Sequence, residues 1–289
     1  MAILIDGRVI SKEIQSEVQR DVEKLKAEKG VTAGLAVVLV GDNPASKLYV
    51  GMKAKTCIKL GMNSIHEELP ASISEAGLLA VIDRLNNDPA VHGILVQLPL
   101  PSHINAQTVL NRLDPRKDVD GLHPVNAGLL SAGEPRFIPC TPYGICQLLV
   151  RSNVQITGRE VVVLGRSNLV GRPISILLSS KGRYGDATVT VCHSRSKNLP
   201  EICRRADILV VAIGQREFVS ADMVKPGAVV IDVGTHPARN ENEKLRGDVQ
   251  FESVSEIASM ITPVPGGVGP MTIAMLMRNA ADAAIMLSA

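Results

Sequence analysis

Short aliphatic runs alternate along the chain with longer stretches whose apolar positions recur every three or four residues, the pattern of parallel strands linked by covering helices. Ile14, Val18, Val22 and Leu25 mark a helix between Ser11 and Gly30, and Leu35 to Val40 then supplies a strand ending in Gly41-Asp42. A second helix is predicted from Pro44 to Leu60. Ser74 caps a third that carries Leu78, Ile82 and Leu85, and Gly93 to Leu98 makes the next strand, stopped by Pro99-Leu100-Pro101. A shorter helix includes Val109 and Leu110. The stretch from Asp114 to Arg136 is rich in Pro, Gly and Asp without a sustained period, so a long loop is predicted there, and long loops in compact domains tend to be functional.

Thr141-Pro142 has the cap-then-proline order of a helix start, and the domain crossing is placed there. Beyond it the strand rhythm restarts at Val161 to Leu164, Ala187 to Cys192, Ile208 to Ile213 and Ala228 to Val233, spaced as in a nucleotide-binding half-sheet. Ile273, Leu276, Met277, Ala280, Ala284 and Leu287 give the last segment an apolar helical stripe, expected to pack back on the first domain. The predicted architecture is α/β in two domains, residues 1–139 with helix 271–289 returning to them, and a Rossmann-like dinucleotide-binding domain over residues 140–270.

Composition narrows the function classes. At 289 residues the chain exceeds the size at which one core usually stops growing, which agrees with two domains. Thirty-one Lys and Arg against 29 Asp and Glu leave +2, too little for the broad positive field of non-specific nucleic-acid binding. Three Tyr, three Phe and no Trp provide little material for base-stacking platforms, and the apolar runs fall short of the ~18–20 residues of a membrane helix. Neither nucleic acid nor membrane is expected as a partner. The five cysteines contain no CxxC pair and no tight cluster with His, so they read as reduced thiols; with no basic-then-apolar leader visible, a cytoplasmic protein is expected.

Val161 to Leu164 leads into Gly165-Arg166-Ser167-Asn168-Leu169-Val170-Gly171, a strand, a small-residue turn and a helix start where unpaired backbone N–H groups can receive a pyrophosphate. Ser167 takes the place of the usual second glycine and Gly171 comes one position late, so this is a variant of GxGxxG; Arg172-Pro173 in place of Lys-Ser/Thr argues against a Walker A loop. The second strand of this half ends in His193-Ser194-Arg195-Ser196 instead of the Asp or Glu that binds the ribose hydroxyls of NAD. A cation and hydroxyls there, with Arg166 on the first turn, suit the 2′-phosphate of NADP; a solvated basic loop is the plainer alternative.

Ser46, Tyr49 and Lys53 lie at i, i+3 and i+7, on one face of the helix from Pro44. A lysine serves acid/base chemistry when burial or nearby cations draw its pKa down from ~10.4. The alternative is a solvated face, since Lys47, Lys55 and Lys59 are close by. Gln97 stands near the carboxyl end of its strand, where ligands of open α/β sheets gather; as a lone strand amide it could equally be a satisfied core group. Asp118 and Asp120 sit in the predicted loop, with turn formation as their plain role, and the segment lacks the ligand density of a metal site.

Taken together, six ordered blocks resemble the bifunctional methylenetetrahydrofolate dehydrogenase/cyclohydrolase (FolD) family over essentially the full chain. They are Gly41-Asp42-Asn43-Pro44-Ala45-Ser46 with Tyr49-Val50 and Lys53, Gly93-Ile94-Leu95-Val96-Gln97-Leu98-Pro99-Leu100-Pro101, and Lys117-Asp118-Val119-Asp120-Gly121. The others are Pro139-Cys140-Thr141-Pro142, Gly165-Arg166-Ser167 with Val170-Gly171-Arg172-Pro173, and Pro263-Val264-Pro265-Gly266-Gly267-Val268-Gly269-Pro270-Met271-Thr272.

The resemblance implies NADP-dependent oxidation of 5,10-methylenetetrahydrofolate, then hydrolysis of the methenyl product to 10-formyltetrahydrofolate, in a cleft between an amino-terminal catalytic domain and the dinucleotide domain. It makes Lys53 the central proton donor and acceptor, tuned by Gln97; Tyr49 stacks on the aminobenzoate ring and Asp120 bonds the pterin edge. Ser46, Val96, Leu98, Pro265 and Gly266 line the folate, while Gly165, Arg166, Ser167, Gly171, Ser194, Arg195 and Thr235 hold the cofactor, Arg166 and Ser194 nearest the 2′-phosphate. It also implies a homodimer supplying one-carbon units to purine biosynthesis. The sequence departs from the family's usual pattern at Thr235-His236 and at Gln250, both in the cofactor half. Two rivals remain: a dehydrogenase with weak or lost hydrolysis, and a non-catalytic dinucleotide sensor, which would not need Ser46, Tyr49, Lys53, Gln97 and Asp120 together.

Overall fold

The computed structural model describes residues 1–238 and 245–289. In chain order the elements are β1 (Ile3–Leu4), α1 (Gly7–Lys29), β2 (Gly34–Val40), α2 (Pro44–Lys59), β3 (Asn63–Leu69), α3 (Glu75–Asn87), β4 (Gly93–Val96), α4 (Ala106–Arg112), α5 (Pro124–Ser131) and α6 (Cys140–Arg151). They continue with β5 (Glu160–Leu164), α7 (Gly171–Ser179), β6 (Thr188–Cys192), α8 (Leu199–Cys203), β7 (Ile208–Val211), β8 (Val229–Asp232), α9 (Phe251–Ile257), β9 (Met260–Ile261) and α10 (Val268–Leu287). Two compact units result, one of Glu13–Cys140 with Ile273–Ala289, the other of Met1–Lys12 with Thr141–Thr272.

The first unit is built on a parallel sheet of order β3-β2-β4. Every residue of β2 is buried, as its uninterrupted aliphatic run requires of a strand covered on both faces. Ala36, Val38 and Val40 pack with Leu78, Ile82 and Leu85 of α3 and with Ile94 and Val96 of β4. Ser74 caps α3 by accepting from Gly77 N at 3.1 Å. Residues Ile273–Ala289 belong to this unit, where Asn279 Nδ2 donates to Val119 O at 2.8 Å and Ile138 O at 2.9 Å.

The second unit carries a six-stranded sheet of order β1-β9-β8-β7-β5-β6, parallel throughout. From β5 the chain pairs β6 on one side and then returns to pair β7 on the other. That reversal is the topological switch point, and the crevice outside the carboxyl ends of β5 and β7 is where such sheets bind ligands.

Several elements differ from the sequence reading. Helix α1 starts at Gly7, earlier than Ser11, because Asp6 Oδ1 accepts from Arg8 N at 2.8 Å and opens the helix. The strand predicted as Gly93 to Leu98 ends at Val96. The predicted long loop contains α5, whose first turn holds Pro124 behind a His123 cap; at eight residues the helix is too short to show a period. Helix α6 begins at Cys140, so Thr141 lies inside its first turn. The reading passed over β3, a mostly polar edge strand, and the two-residue strands β1 and β9. Because β1 joins the six-stranded sheet, the first twelve residues group with that unit instead of with residues 13–139.

Candidate active site and dinucleotide turn

Helix α2 begins where Asn43 Oδ1 accepts from Ser46 N at 3.1 Å, with Pro44 in the first turn. Along the face carrying Ser46, Tyr49 and Lys53, burial is graded: Ser46 and Lys53 are each 8% exposed, Tyr49 37%. Lys53 Nζ donates to Gln97 Oε1 at 2.9 Å. Gln97 is held in turn by its own N–H on Val38 O at 2.9 Å and by Nε2 on Leu98 O at 2.8 Å. The donor end of the amide is thereby occupied, and its carbonyl end faces the amine.

The segment Lys117-Asp118-Val119-Asp120 runs beside β4, with Ile94 N donating to Lys117 O at 2.7 Å and a parallel bridge between Ile94 and Asp118. Gly93 permits this approach, since a Cβ there would lie 2.7 Å from Val119 Cγ1. Lys117 is buried and donates to Asp88 O at 2.8 Å and Leu85 O at 3.3 Å, closing the carboxyl end of α3. Asp118 accepts from His123 N and Asn126 Nδ2, each at 2.8 Å, and burial raises its carboxyl pKa. Asp120 lies inside the turn that Asp118 closes by accepting from His123 N at its side chain and from Gly121 N at its carbonyl.

Asp120 faces Lys53 and Cys140. Burial pushes the Lys53 pKa below its ordinary value, while the Asp120 charge opposes that shift. Burial, with Asp120 alongside, pushes the Cys140 thiol well up, so the thiol is neutral at physiological pH and Asp120 is the counter-charge Lys53 meets. The result is a sheltered amine with a fixed acceptor and a nearby carboxylate. Such a group exchanges a proton with a ligand more readily than a solvated lysine does.

The other unit presents the glycine turn. Gly165 has φ +122°, and a Cβ there would lie 2.2 Å from Ala212 O; one on Gly171 would lie 2.2 Å from Gly165 O. The loop between them is shaped by Ser167, whose Oγ accepts from Val170 N at 3.1 Å. Helix α7 then starts at Gly171, with Gly171 N reaching the same Ser167 Oγ at 3.5 Å and Arg172 N donating to Ser167 O at 3.0 Å. Arg166 and Ser167 are exposed after β5, and Ser194 and Arg195 are exposed after β6, the neighbouring strand. Close backbone packing and basic or hydroxyl side chains at two adjacent strand ends fit a dinucleotide with an extra phosphate.

The remaining predicted positions divide. Leu98 is half-buried and its carbonyl is taken by Gln97. Val96, directly before Gln97, is buried among the residues that β2, β4 and α3 pack together. In the dinucleotide unit Pro265 is exposed and Gly266, at φ +116°, lies against Arg8; Thr235 is exposed after β8. Lys117 and Asn126, which tether the segment before Asp120, and Cys140, which faces Asp120, carry no assigned role in the sequence; their signal is only their place within the quoted blocks or the loop. Among the described residues no group of three or more His, Cys, Asp or Glu could hold a metal ion.

Comparison with known proteins places this geometry. Residues 5–120 match the tetrahydrofolate dehydrogenase/cyclohydrolase catalytic domain, and residues 139–287 the NAD(P)-binding domain of the same enzymes. The bifunctional protein FolD of Halalkalibacterium halodurans is 54% identical over 98% of this chain and 99% of its own. The crystal structure of the FolD methylenetetrahydrofolate dehydrogenase/cyclohydrolase from Campylobacter jejuni superposes with a TM-score of 0.94 at 47% identity, covering 99% of each chain. That of the Trypanosoma brucei enzyme, complexed with NADP cofactor and inhibitor, gives a TM-score of 0.93 at 40% identity over 99% of this chain and 98% of that one. With both domain profiles matched in order and identity above half along nearly the whole length, the chain belongs to the tetrahydrofolate dehydrogenase/cyclohydrolase family.

Proposed function

We propose that the protein oxidises 5,10-methylenetetrahydrofolate to the methenyl form with NADP and hydrolyses that product to 10-formyltetrahydrofolate, with Lys53 as the proton-transfer group. The observation that carries this is the buried Lys53 amine fixed on Gln97 beside Asp120. NADP, when bound, supplies the hydride acceptor for the first reaction.

In the hydrolysis, water adds its oxygen to the cationic methenyl carbon and yields a proton to the neutral Lys53 amine. The adduct's hydroxyl then loses its proton to solvent as the C=O forms, the bond to N5 breaks, and Lys53 returns its proton to N5. One amine serves both transfers, so its pKa must lie near working pH, and burial moves it in that direction. Gln97 holds Nζ without adding charge, and the Asp120 carboxylate bonds the pterin edge. Tyr49, at the exposed end of the same helix face, offers its ring to the aminobenzoate group, and Ser46 and Leu98 border the folate.

Gly165, Ser167 and Gly171 receive the pyrophosphate, Arg166, Ser194 and Arg195 bind the 2′-phosphate, Thr235 lies on the nicotinamide side, and Pro265 and Gly266 line the folate. The protein acts in the cytoplasm as a homodimer, and its formyl product feeds purine biosynthesis. Five free, buried cysteines suit a reducing compartment, and edge strand β6 with exposed Val191 suits pairing with a second copy. No helix among the described residues is long and apolar enough to cross a membrane. The test is spectrophotometric: NADPH must appear when methylenetetrahydrofolate and NADP are supplied, and methenyl absorbance must decay with wild-type protein but not with Lys53→Met.

A further inference from the structure

Two buried carboxylates lie at the carboxyl ends of β7 and β8, Asp232 as the last residue of β8 and Asp248 against the turn after β7. Asp232 Oδ1 accepts from Gly234 N at 3.0 Å and Asp248 N at 2.9 Å, and its Oδ2 accepts from Val249 N at 3.0 Å. Asp248, fully buried, accepts at Oδ2 from Ile213 N at 2.8 Å and Gly214 N at 2.9 Å. Its other oxygen, Oδ1, meets His236 Nε2 at 2.7 Å. His236 is anchored as well, since its N–H donates to Arg246 O at 2.8 Å and its O accepts from Arg246 N at 3.1 Å. A Cβ on Gly234 would lie 2.4 Å from Asp248, and one on Gly247 1.7 Å from Asp232, so backbone closes tightly around both carboxylates.

We propose that His236 is a positioning residue for the cofactor: its ring N–H holds Asp248 against the amides of Ile213 and Gly214 and so fixes the turn that follows β7. That turn adjoins the dinucleotide site directly, because Ala212 O is the atom against which Gly165 packs without room for a Cβ. In a doubly wound sheet the strands beyond the switch point carry the nicotinamide half of the ligand. Without His236, Oδ1 of a fully buried carboxylate loses a donor, and the turn and the Gly165 wall lose their common tether. The proposal rests on NADP binding at this turn.

The test uses wild-type protein, His236→Ala and His236→Gln, with NADP binding followed by titration calorimetry and both activities assayed on each preparation. His236→Ala is expected to weaken NADP binding and raise its KM by about 5- to 20-fold, the loss of one hydrogen bond to a buried carboxylate. Hydrolysis of the methenyl folate, which needs no NADP, should stay within about twofold, and His236→Gln, which restores an N–H donor, should recover most of the affinity. Unchanged NADP affinity in His236→Ala would overturn the proposal, as would a parallel fall of binding and hydrolysis, the mark of lost folded protein. A wild-type protein that binds no NADP would overturn the functional reading itself, and that result is visible before any variant is compared.

Discussion

Lys53 Nζ and Gln97 Oε1 meet at 2.9 Å across 44 residues of chain, joining the middle of a helix to the end of a strand. The contact exists because Gln97 extends the ladder one residue past β4, its N–H on Val38 O, and turns its side-chain Nε2 to Leu98 O. Replacing Lys53 by Met removes the amine while keeping much of its volume. Methenyl hydrolysis should fall by about 10²- to 10⁴-fold, the usual worth of a positioned acid/base group, in a stopped assay of methenyl decay.

The neutral amine accumulates as pH rises through its lowered pKa, so the hydrolytic rate should climb along that limb below the ordinary lysine range. Asp120→Asn removes the charge that opposes the shift and should move the limb to lower pH. Gln97→Glu places a carboxylate on Nζ and should move it to higher pH. Rate profiles of the three proteins check the order; a common midpoint would separate the limb from Lys53.

Linkage gives a second consequence. Between the lowered folded pKa and the unfolded value, the unfolded chain binds the extra proton at Lys53, so this residue makes stability rise with pH across that window. Lys53→Met should lose that part of the slope in denaturant unfolding repeated across the alkaline range, and an unaltered slope would contradict it.

Gly93 should tolerate no side chain. The 2.7 Å that a Cβ would leave to Val119 Cγ1 forces the neighbouring segment outward, and Asp120 is the next residue. Gly93→Ala is expected to cost about 1–3 kcal/mol of stability and to reduce turnover through displaced Asp120, measured by chemical denaturation and steady-state kinetics.

Arg166 is exposed after β5, next to the β6 end that carries Ser194 and Arg195. Arg166→Ala should raise the KM for NADP by about 10- to 100-fold, the worth of a charged hydrogen bond to phosphate, and that for NAD far less. Equal effects on the two nucleotides would remove Arg166 from the 2′-phosphate.

Legibility followed the strength of local pattern. The all-aliphatic run of β2 and the evenly spaced apolar residues of α3 declared themselves, as did the i, i+3, i+7 spacing that puts Ser46, Tyr49 and Lys53 on one helix face. Helix α5 hid in eight residues of small and polar composition, and β3 reads as polar because an edge strand has one side in solvent. The burial of Lys53 was not legible, since four lysines of the same helix look alike until Gln97 and Asp120 arrive from elsewhere in the chain. The tethers Lys117–Asp88, Asp118–Asn126 and His236–Asp248 span gaps of 29, 8 and 12 residues and follow no periodic rule.

The central claim is that burial draws the pKa of the Lys53 amine below that of an ordinary lysine. Its titration can be followed directly by NMR of protein labelled at lysine, with the Lys53 signal assigned by its loss in Lys53→Met. A midpoint clearly below that of the exposed lysines, moving further down in Asp120→Asn, is the expected result; a midpoint among the exposed lysines, indifferent to Asp120, would contradict it.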